Sequence, residues 1–82
     1  MKGHFPQIKF VKINSRYKQV IHVLSESKEV SGAKGDHELD MEIADLLHSC
    51  ETYFRIRENE GLDVEALFRK IVEKNQVRGY YA

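Results

Sequence analysis

One cysteine and one proline occur in the 82 residues, and the scarcity of cysteine removes a class of protein. A lone Cys50 cannot close an internal disulfide, so the stapled mini-folds of oxidising compartments are excluded and a reducing compartment fits best. Pro6 is the single proline and stands just before the stretch "QIKFVKIN". Long apolar runs are missing too. No segment approaches the ~18 to 20 apolar residues of a membrane span, and "MKGHFPQIKF" holds no apolar stretch long enough for a signal peptide. These absences lead to the expectation of a soluble, cytoplasmic protein without a membrane partner.

What remains is an ordinary globular composition, 41% hydrophobic and 32% charged. Its length supports one domain with one small core, because two cores would each fall below the size at which burial offsets chain entropy. A core so small leaves a thin stability margin, and self-association into a homodimer is expected to bury more surface.

The net charge of zero conceals a polarised layout. Residues 1–35 carry +5, residues 36–60 carry −6 and residues 61–82 carry +1. Opposite signs therefore occupy the two halves of the chain.

"QIKFVKIN" and "YKQVIHVL" are rich in β-branched and aromatic residues with partial two-residue alternation, which predicts a β-hairpin over 7–24 turning at "NSR". The pattern admits a short third strand near Glu29 and Val30. "SESKEVSGAKGD", with few large apolar groups, reads as a flexible loop over 25–36. From there the period changes. Leu39, Ile43, Leu46, Leu47, Cys50, Tyr53 and Phe54 fall within an arc of about 120° on a helix wheel, which predicts a core-facing helix over 37–59 with Asp36 as its cap. Gly61 and Leu62 supply a helix stop, and Asp63 caps a second helix over 63–75 whose Val64, Leu67, Phe68, Ile71 and Val72 form one face. A tail, 76–82, follows. The predicted fold class is α+β, an N-terminal β-hairpin packed on a C-terminal antiparallel helical hairpin.

Catalytic and metal chemistry find little support. His48 and Cys50 point about 200° apart on a helix and cannot grip one ion. Asp45 and His48 share a face, but helical di-iron sites need two such pairs and further carboxylates. Cys50 lies within the apolar stripe, where a thiolate is disfavoured. No catalytic residue, metal, cofactor or small-molecule substrate is assigned, and the chain is read as non-enzymatic. "GAKG" at 32–35 has the form of a phosphate-holding loop, but the element order differs from that of KH domains and acids crowd the helix start, so a linker is the better reading.

Two surfaces remain. Around the first helix the acids Glu38, Glu42 and Asp45 stand on one side of the apolar stripe and Asp40, Glu51 and Glu58 on the other. They enclose an uncharged outer strip of His37, Met41, Ala44, His48 and Thr52. That strip is the candidate contact surface of a small regulatory or adaptor protein, for a second copy or another protein. The first alternative is a nucleic-acid-binding module using Lys9, Lys12, Arg16, Lys18 and Tyr17 of the hairpin with the aromatic tail Tyr80 and Tyr81. A second is an acidic mimic of nucleic acid, with the two rails of carboxylates occupying a basic groove on a partner.

Overall fold

A computed structural model of the chain describes residues 1–81, and among them there are four helices and no strand. Helix α1 is a single turn, Phe10–Ile13; α2 spans Arg16–Ser31, α3 Asp36–Asn59 and α4 Val64–Val77. The α+β class and the β-hairpin over 7–24 are thereby overturned. So is the third strand at Glu29 and Val30, which lie in α2, and the flexible loop over 25–36 is mostly the last turns of that helix. Of the tail 76–82, Gln76 and Val77 complete α4, and Ala82 lies outside the described residues.

The local reason for the first correction is Ser15. Its hydroxyl accepts the backbone N–H of Lys18 at 3.1 Å, satisfying one of the amides that a helix start leaves unpaired. "NSR" is thus a helix start rather than a strand-to-strand turn. Val20, Ile21 and Val23 then continue as helix despite their β-branching, a propensity of only a few tenths of a kcal/mol that tertiary packing overrides.

Helices α2 and α3, joined by residues 32–35, form the main helical hairpin. Gln19 meets Ser49 at one end, and Glu26 and Glu29 meet Glu42 nearer the connection, which is the register of an antiparallel pair. A buried polar cluster lies at the first of these contacts. Gln19 is buried; its Nε2 donates to the Ser49 carbonyl at 3.0 Å and to the Ser49 hydroxyl at 3.1 Å, while its Oε1 accepts from Asn14 Nδ2 at 3.0 Å. Because buried polar groups are costly unless paired, this chain of bonds fixes the pairing of α1, α2 and α3.

Helix α3 ends where Gly61 takes a φ of 102° and the Leu62 N–H bonds the Arg57 carbonyl at 3.0 Å, a closure that a side chain at 61 would oppose. Asp63 caps α4 by accepting the Ala66 N–H at 3.0 Å. Beyond that turn the helices separate: α4 touches α3 only near their junction, where Phe54 and Phe68 meet edge to face at 5.1 Å. The predicted close pairing of these two helices is therefore replaced by that of α2 with α3.

Candidate functional site

The side chains that α3 buries are not those of its apolar stripe. Thr52, Ile56, Glu51 and Arg55 are buried, together with Gln19 and Asn14 from the preceding elements. At about 100° per residue, Thr52 and Ile56 lie on the far side of the helix from Leu39, Ile43, Leu47 and Cys50. Leu39, Ile43 and Leu47 remain 41 to 49% exposed. In its second half the helix buries Thr52 and Ile56 on the weakly polar side, while of the apolar stripe Leu39, Ile43 and Leu47 are exposed and Leu46, Cys50, Tyr53 and Phe54 are half-buried. The stripe is thus only partly covered where the periodicity predicts a core-facing one.

The N-terminal segment covers the C-terminal part of the weakly polar strip. The Phe5 ring stacks on His48 with centroids 4.5 Å apart. Glu51 accepts the His4 N–H at 2.8 and 2.9 Å and the Phe5 N–H at 3.1 Å, and pairs with His4 Nδ1 at 2.9 Å. Arg55 Nη2 donates to the Phe5 carbonyl at 2.6 Å, and the Met1 amino group donates to both oxygens of Glu58 at 2.6 Å. Burial alone pushes the Glu51 carboxyl upward, but the hydrogen bonds from His4 and Phe5 outweigh it and hold the group below the ordinary carboxylate range.

The sequence-derived contact strip is accordingly divided. His37, Met41 and Ala44 are exposed, His48 is half-buried beneath Phe5, and Thr52 is buried with its hydroxyl bonded to the His48 carbonyl. Of the acidic rails, Glu38, Asp40 and Asp45 reach solvent, Glu42 packs half-buried toward α2, and Glu51 and Glu58 hold the N-terminal segment. The basic set is spread over α1 and the start of α2: Lys9, Lys12, Tyr17 and Lys18 are exposed, and Arg16 lies 3.4 Å from Glu60. The two-stranded ribbon that was to carry Lys9, Lys12, Arg16 and Lys18 into a groove is absent among the described residues.

One titratable grouping lies elsewhere. Carboxylate oxygens of Glu26, Glu29 and Glu42 come within 4.8 Å of one another across the α2–α3 contact. Burial first, then the neighbouring charge of Glu29, pushes the Glu26 and Glu42 carboxyls above their ordinary range. Burial likewise raises the Cys50 thiol, which leaves it a poor nucleophile at neutral pH.

Exposed apolar side chains gather on one side of the molecule. A cleft of about 190 Å³ between α2 and α3 is lined by Val20, Val23, Leu24, Cys50, Tyr53 and Phe54. Cys50 and Phe54 also line a second depression, shared with Leu47 and Phe68, and Phe68 leads on to Val72 of α4. Exposed apolar side chains therefore line a run of depressions from α2 across α3 to α4, the second of them lined also by Met1, Lys2, Gly3, His4, Glu51 and Glu65. Among the described residues no helix is long and apolar enough to cross a membrane.

Sequence reasoning placed this face in the core and missed the roles of Gln19 and Glu51. A signal for the burial of Thr52 and Ile56 was present: the strip His48, Ser49, Thr52 with neighbouring Ile56 is short of charge, as a packed face must be. Compared with protein-family models, with curated proteins and with solved structures, the chain matches none.

Proposed function

We propose that this chain is a small non-enzymatic regulatory protein that acts through protein contacts and works as a homodimer joined by its apolar face. One observation carries the reading. The chain exposes 6284 Å², whereas a compact monomer of 9.6 kDa exposes about 5,100 Å². The excess of about 1,200 Å² per copy corresponds to an interface of about 2,400 Å² in total, within the range of obligate homodimers. The radius of gyration agrees, at 14.4 Å against about 12 Å for a compact chain of this length.

Val11, Ile56 and Val64 are the fully buried hydrophobic side chains among the described residues, too few to stabilise a domain by themselves. A second copy supplies what the chain's own elements do not. Sedimentation equilibrium tests it: the wild type is expected at about 19 kDa, twice the single chain, and Ile43→Glu with Leu47→Glu at the monomer mass. A wild type that stays monomeric at tens of micromolar overturns the reading.

A further inference from the structure

The bare surface is not uniform, and its two ends carry opposite charge. Over Asp36–Cys50, α3 holds five acids and no base alongside the exposed Leu39, Ile43 and Leu47. Over residues 66–78, α4 and its cap hold Arg69, Lys70, Lys74 and Arg78 against the single Glu73. Among the described residues none of those four bases enters an ion pair, as the pairs that form involve Met1, His4, Arg16 and Arg57.

Helix α4 is amphipathic with nothing laid along it. Only its first two turns are engaged, through buried Val64, half-buried Leu67 and the edge of Phe68 on Phe54, while Ile71 and Val72 stay 43 and 50% exposed. An apolar stripe on an isolated helix of this length stabilises nothing until it is covered. The part of α4 beyond Phe68, residues 69–77, is about 14 Å long, and residues 39–50 of α3, about 18 Å, are long enough to receive it.

We infer that, in a homodimer, α4 of each copy docks antiparallel along the acidic first half of α3 of the other, with Ile71 and Val72 on Leu39, Ile43 and Leu47. This inference rests on the homodimer reading and specifies its pairing. The antiparallel direction follows from charge. It brings Lys74 and Arg78 level with the acids Asp36, Glu38 and Asp40 at the start of α3, and sets the negative end of the α4 dipole against the positive end of α3. Lys70, Lys74 and Arg78 lie to one side of the apolar stripe of α4 on the helix wheel, and Asp36 and Asp40 overlie or adjoin one side of that of α3. In an antiparallel pair these sides form opposite edges of the contact, so the attraction is between the basic end of α4 and the acidic end of α3 as wholes, around an apolar centre. Two-fold symmetry then makes the contact reciprocal: each copy gives one α4 and receives one. The partner's α4 takes the place that the chain's own α4 leaves by turning away after Phe68.

A charge exchange tests this pairing. One variant carries Lys70→Glu, Lys74→Glu and Arg78→Glu; a second carries Asp36→Lys and Asp40→Lys, and circular dichroism establishes that each is helical. Each alone is expected to sediment as monomer, with self-affinity lowered at least about tenfold, because both of its α4–α3 contacts now join like charges. Mixed one to one, they are expected to regain a dimer holding one of each, since both contacts become attractive, and native mass spectrometry identifies that species. Variants that dimerise separately as the wild type does, or a mixture that stays monomeric, overturn the reciprocal docking. If Ile43→Glu with Leu47→Glu dissolves the dimer while the charge variants remain dimeric, the apolar face stands and the docking mode alone fails. A wild type that is monomeric throughout sinks both.

Discussion

Glu51 binds His4 twice: one carboxylate takes both the backbone N–H, at 2.8 Å, and the ring Nδ1, at 2.9 Å. The adjacent Phe5 amide reaches the same carboxylate at 3.1 Å, so one buried anion anchors the segment that covers α3. Glu51→Gln removes the charge and half of the acceptor capacity, and is expected to destabilise the fold by about 1 to 3 kcal/mol, the cost of leaving buried donors without partners. The pH dependence has a definite sign. The folded carboxyl titrates below its ordinary value, so its stabilisation is complete above the unfolded carboxylate range and is lost as pH falls through the lower, folded value. Thermal midpoints from pH 6 to 3 check this: the wild type loses its margin over Glu51→Gln on acidification, and a constant margin refutes the assignment.

Gly3 lies directly against that anchor. Its φ is +60°, and a Cβ placed there would stand 2.6 Å from Glu51 Oε1 and 2.9 Å from Arg55 Nη2. Gly3→Ala therefore combines backbone strain with displacement of the paired side chains, and is expected to cost about 1 to 3 kcal/mol. Gly35, also at positive φ but with no heavy atom within 4 Å of an added Cβ, supplies the control: Ala there carries the strain without the collision. Equal losses of thermal midpoint for the two would show that contact with Glu51 contributes nothing.

The carboxylates of Glu26, Glu29 and Glu42 give the opposite pH response. With Glu26 and Glu42 raised by burial and by Glu29, the folded state binds protons more tightly than the unfolded one. Stability contributed by this group therefore falls as pH rises through the raised values and is regained on acidification toward the ordinary carboxylate range. Glu42→Gln is expected to raise the thermal midpoint at pH 7 and to remove part of the gain seen between pH 7 and 5. A midpoint that falls on substitution at neutral pH would mean that the charged form is favoured there.

How far the sequence revealed these features varied with the kind of signal. Gly61, Leu62 and Asp63 carry local backbone chemistry, and the turn between α3 and α4 follows from it without reference to distant residues. Helix α2 did not declare itself, because its inward positions, Gln19, Val23, Glu26 and Val30, mix polar with apolar side chains. The helical period is hidden, while the neighbouring Val20 and Ile21 imitate a strand. On α3 the apolar period was plain and its direction was not, since burying a stripe against the chain and burying it against a second copy produce the same pattern of residues. The candidate strip of His37, Met41, Ala44, His48 and Thr52 was visible as a weakly charged surface; that the N-terminal segment covers its C-terminal part depends on Glu51 and Arg55, a contact across nearly fifty residues with no local signature.

If stability depends on association, it must also depend on concentration. For a homodimer whose separated chains are poorly folded, unfolding releases two chains, and mass action raises the thermal midpoint as protein concentration increases. With Val11, Ile56 and Val64 the buried hydrophobic side chains among the described residues, the proposed homodimer would belong to that class, since one small core contributes only about 3 to 5 kcal/mol at this size. The wild type is therefore expected to melt several degrees higher at 500 than at 5 micromolar, on the order expected of this linkage. Leu47→Glu, whose side chain lies on the shared face and is 44% exposed in the single chain, is expected to melt at one low temperature at both concentrations. Scanning calorimetry at the two concentrations decides it. A wild-type midpoint independent of concentration, matched by an unaltered midpoint for Leu47→Glu, would show that the apolar face contributes nothing to the stability of the folded protein.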